Sequence, residues 1–153
     1  MPESAQEQSW CEFACSALAM RMEKMFEQTA AVLEETDHDA LRRMRVWSRR
    51  SRAAFALAAP CLPERQARQA ERELKRAADA LGAARDLDVA IEELNQRKQA
   101  LPLAQRSGLT LFAEHLQQER SQRQKEVILA LQRMKQRGLP ELMRALLQKD
   151  DSD

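Results

Sequence analysis

The chain has no tyrosine, three glycines and five prolines, and its aromatic side chains are two Trp and four Phe. So few helix breakers, beside abundant Ala, Leu, Arg, Glu and Gln, point to an all-α protein. The shortage of aromatic rings removes most of the stacking surface that single-stranded nucleic acid needs, so a nucleic-acid partner is not expected. No stretch approaches the roughly 20 apolar residues that span a bilayer. The start, MPESAQEQSWCEF, is polar and acidic with neither a basic nor an apolar leader segment, so a soluble, unexported, cytoplasmic protein is expected. Three cysteines, Cys11, Cys15 and Cys61, share no repeated spacing and match no zinc pattern, and reduced thiols are the expected state.

What is present is unevenly placed. A chain of 153 residues holds one core, and residues 1–148 are read as one domain with a disordered tail at 149–153. Net charge is only +1, yet residues 1–37 carry eight acidic and two basic side chains, while residues 38–60 carry one acidic and six basic. Residues 61–100 balance, and residues 101–153 are slightly basic.

Period and punctuation predict four long helices: about Glu7 to Glu35, Asp39 to Ala59, Glu64 to Gln99 and Ser107 to Arg137. Thr36 or Asp37 is placed to cap the second, Pro60 and Pro63 end it, Pro102 closes the third, and Gly138 stops the fourth before a short helix that begins near Pro140. Long helices joined by short loops predict an antiparallel four-helix bundle with a short C-terminal helix. The first helix is read with one apolar set at spacings of three and four: Trp10, Phe13, Ala14, Ala17, Leu18, Met22, Met25, Phe26, Thr29, Val32 and Leu33.

The stretch RRMRVWSRRSR, Arg42 to Arg52, is the most concentrated charge in the chain. At 100° per residue, Leu41, Met44, Trp47, Ser48, Ser51 and Phe55 share the face that must meet the core, with Ala58 in line. Arg42, Arg45, Arg49 and Arg52 then fall on the opposite side in one stripe with His38, and Arg43 and Arg50 lie beside it. A charged face is ordinarily a solvated surface, but such a surface intersperses Glu at i±4, whereas like charges at that spacing repel by a few tenths of a kcal/mol per pair. An external anion is the implied complement.

Two further anomalies lie elsewhere. In the fourth helix Arg120 and Arg123 occupy positions of an apolar stripe that runs from Leu109 to Met134, and buried charge must pair, snorkel or line a wet groove. In the third helix Arg85 and Asp88 stand three residues apart and are read as a structural pair. Gly82 costs about 1 kcal/mol in a helix interior and is read as permitting a close helix contact. Arg68, Arg72 and Lys75 form a second basic stripe.

Two segments resemble the CHAD domain, an α-helical family named for a recurring histidine. The family's form H-x-x-R-V-x-x-R-R-x-R, followed by an aromatic residue, is matched by RVWSRRSRAAF, which supplies Arg45, Val46, Arg49, Arg50, Arg52 and Phe55. LGAARDLDV, Leu81 to Val89, matches the family's L-G-x-x-R-D-x-D-V segment. The histidine position holds Arg42, which keeps its charge at every physiological pH and so removes a pH response. The resemblance implies binding of inorganic polyphosphate, with Arg45, Arg49, Arg50 and Arg52 as contacts and Arg42, Lys75, Arg120 and Arg123 widening the groove. Family members usually contain two related bundles and this chain has material for one, so a homodimer is the expected partner arrangement, with association to polyphosphate granules a corollary.

Catalysis has little support in the residues. Glu35 and His38 make a single E-x-x-H, far short of a di-iron set, Ser48 and Ser51 lack a histidine at useful spacing, and no glycine-rich phosphate loop occurs. No catalytic residue, metal or cofactor is expected. The competing reading is a helical adaptor whose arginines dock an acidic protein surface or nucleic acid.

Overall fold

The computed structural model describes residues 5–148. It is all-α, without a strand among the described residues: α1 (Ala5–Phe26), α2 (Thr29–Glu34), α3 (Ala40–Ala58), α4 (Glu64–Gln99), α5 (Ser107–Gln136) and α6 (Leu139–Gln148). The expected disordered tail at 149–153 lies outside the described residues.

The boundaries follow the punctuation. Pro60 sits in the 3-10 turn at Ala59–Cys61 that closes α3, and Pro63, extended at φ −56° and ψ 130°, immediately precedes α4. Pro102 and a short 3-10 turn separate α4 from α5. Gly138 adopts φ 74°, a left-handed conformation glycine takes without steric cost, and so reverses the chain between α5 and α6. α1 packs on α3, α3 on α4, α4 on α5, α5 on α6, and α6 returns to α1, so the neighbours close a ring.

The expected first helix is broken. α1 stops at Phe26, Gln28 N–H bonds the Met25 carbonyl at 3.2 Å in a tightened turn, and α2 restarts at Thr29. The apolar rhythm runs on through Met25, Phe26, Val32 and Leu33, and neither glycine nor proline marks the site, so the period concealed a turn that lets α2 lie against α3 and bury Val32. Glu35 closes α2 in the left-handed region at φ 51°, its N–H bonded to the Ala31 carbonyl. The turn into α3 uses Asp37, whose Oδ1 accepts the Asp39 N–H at 2.9 Å. The residue that caps α3 is Asp39, without a side-chain hydrogen bond to the helix start.

The core joins Leu18, Met22 and Met25 of α1 to Met44 of α3, Leu74 and Leu81 of α4 and Val127, Leu131 and Met134 of α5, with Leu139 and Met143 of α6 sealing one side. On α3 the buried face is the one read from the sequence, with Trp47 half-buried at its edge. Two expectations fail nearby. Trp10 and Phe13 face outward, because α1 turns the line Ala14, Leu18, Met22 and Met25 toward α3 and α6. Cys11 and Cys61 form a disulfide with Cα atoms 5.5 Å apart, tying α1 to the turn between α3 and α4. The expectation of three reduced thiols is thereby overturned, and with it one ground for the cytoplasmic assignment. Fifty residues separate the pair, so spacing alone gave no hint of it.

Candidate functional site

The arginines of α3 meet different fates along the helix. Arg42 donates from Nε to Asp39 Oδ1 at 2.8 Å and from Nη2 to Asp39 Oδ2 at 3.0 Å. This fork holds the Asp39 carboxyl down at about 2, chiefly through the hydrogen bond from Arg42, and raises Arg42 in turn. Arg43 bonds Asp37, Asp39 and Gln28 Oε1, and its hydrogen bond lowers Asp37. The two aspartates just ahead of α3 therefore neutralise its first two arginines. The pairs at i,i+3 and i,i+4 were legible in the sequence but lay outside the stretch that drew attention.

Beyond that first turn the compensation ends. Arg45 is half-buried, and Arg49 and Arg52 are exposed. Among the described residues none of the three has a carboxylate within 4.0 Å. They fall at i, i+4 and i+7 on one face, spanning roughly 10 Å of helix. Arg45 also reaches across to α4, where its Nε lies 4.0 Å from the position a side chain on Gly82 would take. The two sequence segments singled out above thus meet at the crossing of α3 and α4. The gap is an ordinary van der Waals distance, so a methyl group on Gly82 would fit, and the expected need for a bare backbone there is not met. Arg50 lies round the helix from the stripe, with its guanidinium 4.7 Å above the Trp47 ring. Lys75 is exposed on α4 and has no acidic partner among the described residues.

The remaining candidates pair within the fold. Arg120, its side chain only 16% exposed, donates to Asp88 Oδ1 at 2.7 Å and to Gln124 Oε1 at 3.0 Å. Gln124 is buried and passes the chain of bonds on, donating to the Val32 carbonyl at 2.9 Å. This relay links α4, α5 and α2 and satisfies a carbonyl that the short α2 helix leaves open. Asp88 therefore serves Arg120, and the expected pair with Arg85 does not form. Arg85 stays half-buried beside a hollow of about 730 Å³ that Arg42, Asp88 and Arg120 also border. Arg123 sits off the buried line and pairs on its own helix with Glu126 at 3.0 Å and Glu119 at 3.9 Å. Gln124 takes the stripe position read as Arg123, a shift of one residue that the 3.6-residue period alone does not resolve. Glu73, a buried carboxylate that sequence reasoning missed, is held by Arg133 of α5 at 3.0 Å.

Chemically the open face offers guanidinium groups, which donate paired hydrogen bonds to phosphate or carboxylate oxygens and keep their charge at all physiological pH. No helix among the described residues is long and apolar enough to cross a membrane. Comparison with protein-family models matches residues 16–153 to the family described as CHAD domain. No curated protein and no solved structure matches.

Proposed function

Because that match makes the chain a member of the CHAD family, a helical domain known for binding polyphosphate and triphosphate, we propose that it is a non-catalytic binder of inorganic polyphosphate held along the open face of α3. One observation carries this reading. Arg42, Arg43, Arg120 and Arg123 all have carboxylates of the same chain, whereas Arg45, Arg49 and Arg52 stand in register with none among the described residues. A row of uncompensated like charges is destabilising by itself and becomes favourable when a polyanion covers it. Polyphosphate has no bases to read, so matching a line of negative charge with a line of forks is sufficient recognition.

The contact set is accordingly narrower than the sequence implied. Arg45, Arg49 and Arg52 form its centre, Lys75 and Arg50 its margins, and Arg42, Arg120 and Arg123 are engaged elsewhere. A homodimer is the companion reading, favoured by Val89, Leu111 and Phe112, which stay exposed on α4 and α5. Light scattering that finds only monomer, with and without polyphosphate, removes it.

The test is fluorescence anisotropy of labelled long-chain polyphosphate across a salt series, for the wild type and an Arg45→Ala, Arg49→Ala, Arg52→Ala variant. Binding should weaken steeply with salt. The triple variant should lower the slope of log affinity against log salt by roughly 2 to 3, about one per lost phosphate contact. Affinity that ignores salt, or a variant that binds as the wild type does, refutes the reading. DNA of equal charge that competes as well as polyphosphate favours the adaptor alternative.

A further inference from the structure

α1 carries two apolar lines. Ala14, Leu18, Met22 and Met25 enter the core, while Trp10, Phe13, Ala17 and Met20 run outside it with intervals of three, four and three. α3 answers with Trp47, Arg50, Ala54 and Leu57 at the same intervals. The two lines bound an open groove of about 660 Å³. Trp10, Phe13, Met20 and Leu57 are 48–66% exposed there, a contiguous apolar strip rather than scattered surface residues. The rims bear Arg21, Lys24 and Arg50, and among the described residues no carboxylate lines the groove.

The three-four rhythm on both walls is the spacing that accepts a third helix laid between them, its own apolar residues at i, i+3, i+4 and i+7. From Trp10 to Lys24 the wall is roughly 21 Å long, room for about four turns of a docked helix. The charges choose the occupant. A second copy of this chain presenting the same face would bring three cations against three beside an apolar strip, where like charges repel strongly. A bilayer meets a flat or bulging surface, and this strip is sunk between two helices. Within the rims, Lys24 is held among the described residues by the exposed Glu27 at 3.1 Å, and Arg50 rests on Trp47, so both remain within reach of an incoming carboxylate.

We propose that the α1–α3 groove docks an amphipathic helix of a partner protein whose apolar face is flanked by Asp and Glu. This surface is separate from the polyanion face, since Arg50 alone borders both. It makes the protein a two-sided connector, with one side for phosphate and one for an acidic helix.

Selection from a display library of 16-residue amphipathic helices tests it, using wild-type protein as bait. The chain's two tryptophans, Trp10 and Trp47, both line the groove, so intrinsic fluorescence reads occupancy directly. The expected result is a set of binders enriched in Asp and Glu beside the apolar stripe, each giving a saturable tryptophan shift. Phe13→Glu and Leu57→Glu, both at exposed positions, should weaken them tenfold or more while circular dichroism stays unchanged. Arg50→Glu should shift preference toward Lys-flanked peptides, a reversal that loss of fold cannot mimic. The Arg45, Arg49, Arg52 triple variant should bind the peptides as the wild type does, which separates this site from the polyphosphate face. The proposal is overturned if no binders emerge, if binders show no acidic enrichment, or if they ignore Phe13→Glu and Leu57→Glu. An equal tryptophan shift with vesicles of anionic phospholipid also overturns it, in favour of a membrane surface.

Discussion

Reduction of the Cys11–Cys61 disulfide should lower the melting temperature by about 10 to 15 °C. The bond closes a loop between residues 50 apart, and loop-closure entropy for that length gives roughly 4 kcal/mol removed from the unfolded state. For a chain of this size each kcal/mol is worth about 2 to 4 °C. The native side offers little to offset the loss, because from Ser9 to Phe13 no side chain of α1 is fully buried and the covalent link anchors this end of the helix. Differential scanning fluorimetry with and without a dithiol reductant reads the shift, and a Cys11→Ala, Cys61→Ala variant should melt with the reduced protein. Non-reducing peptide mapping establishes that the two cysteines are joined. Melting curves that agree within 2 °C, on protein shown to carry the bond, would refute the chain-entropy reasoning and mean that residual structure already restricts this loop in the unfolded chain.

Asp39→Asn should tighten polyphosphate binding several-fold at low salt by releasing Arg42 to the stripe, an effect that fades as ionic strength rises. Asp39 is held low, so its pair with Arg42 is complete above about pH 4 and is lost only as pH falls through about 2. The Asp39–Arg42 pair should accordingly add no pH dependence to polyphosphate affinity between pH 5.5 and 8, and anisotropy at fixed salt, read on a His38→Gln background, checks both points. Asp88→Ala should cost about 2 to 4 kcal/mol in urea unfolding, because it strands a mostly buried guanidinium at Arg120. A loss under 0.5 kcal/mol would show that Gln124 and solvent suffice. Gly82→Ala should raise stability by about 0.5 to 1 kcal/mol, since the added methyl meets nothing closer than Arg45 Nε at 4.0 Å. Destabilisation there would restore the idea of a close helix contact.

The legibility of this fold depended on where the chain is punctuated. α4 was found with both ends correct because Pro63 and Pro102 bracket it, and the buried face of α3 followed from period alone. The break at Glu27 and Gln28 had no such mark, and the apolar residues on either side keep helical spacing, so only packing against α3 reveals it. Trp10 and Phe13 misled for a related reason. A helix with two apolar lines satisfies the period with either one inward, and the sequence does not say which neighbour α1 will meet. For the site, the stripe itself was plain, but its true extent depended on Asp37 and Asp39 outside it and on Asp88 from another helix. Partners brought from a distance in sequence are what a local pattern omits.

The ring of helices has a seam. Every other link in it joins segments near in sequence, across a 3-10 turn or the two residues Arg137 and Gly138, or in the case of α1 and α3 across little more than α2. Only the contact between α6 and α1 spans nearly the whole described chain. Closing it requires the longest loop in the fold, so it should form after the α3–α4 and α4–α5 pairs during refolding. By the same reasoning it should be the first contact to let go in the native state. Hydrogen exchange would then find the amides of α6 opening under conditions where those of α4 remain protected. Such an opening would bare Leu139 and Met143 together with the core faces of α1 and α5 that they cover, making this seam the place where unfolding, proteolysis and self-association begin.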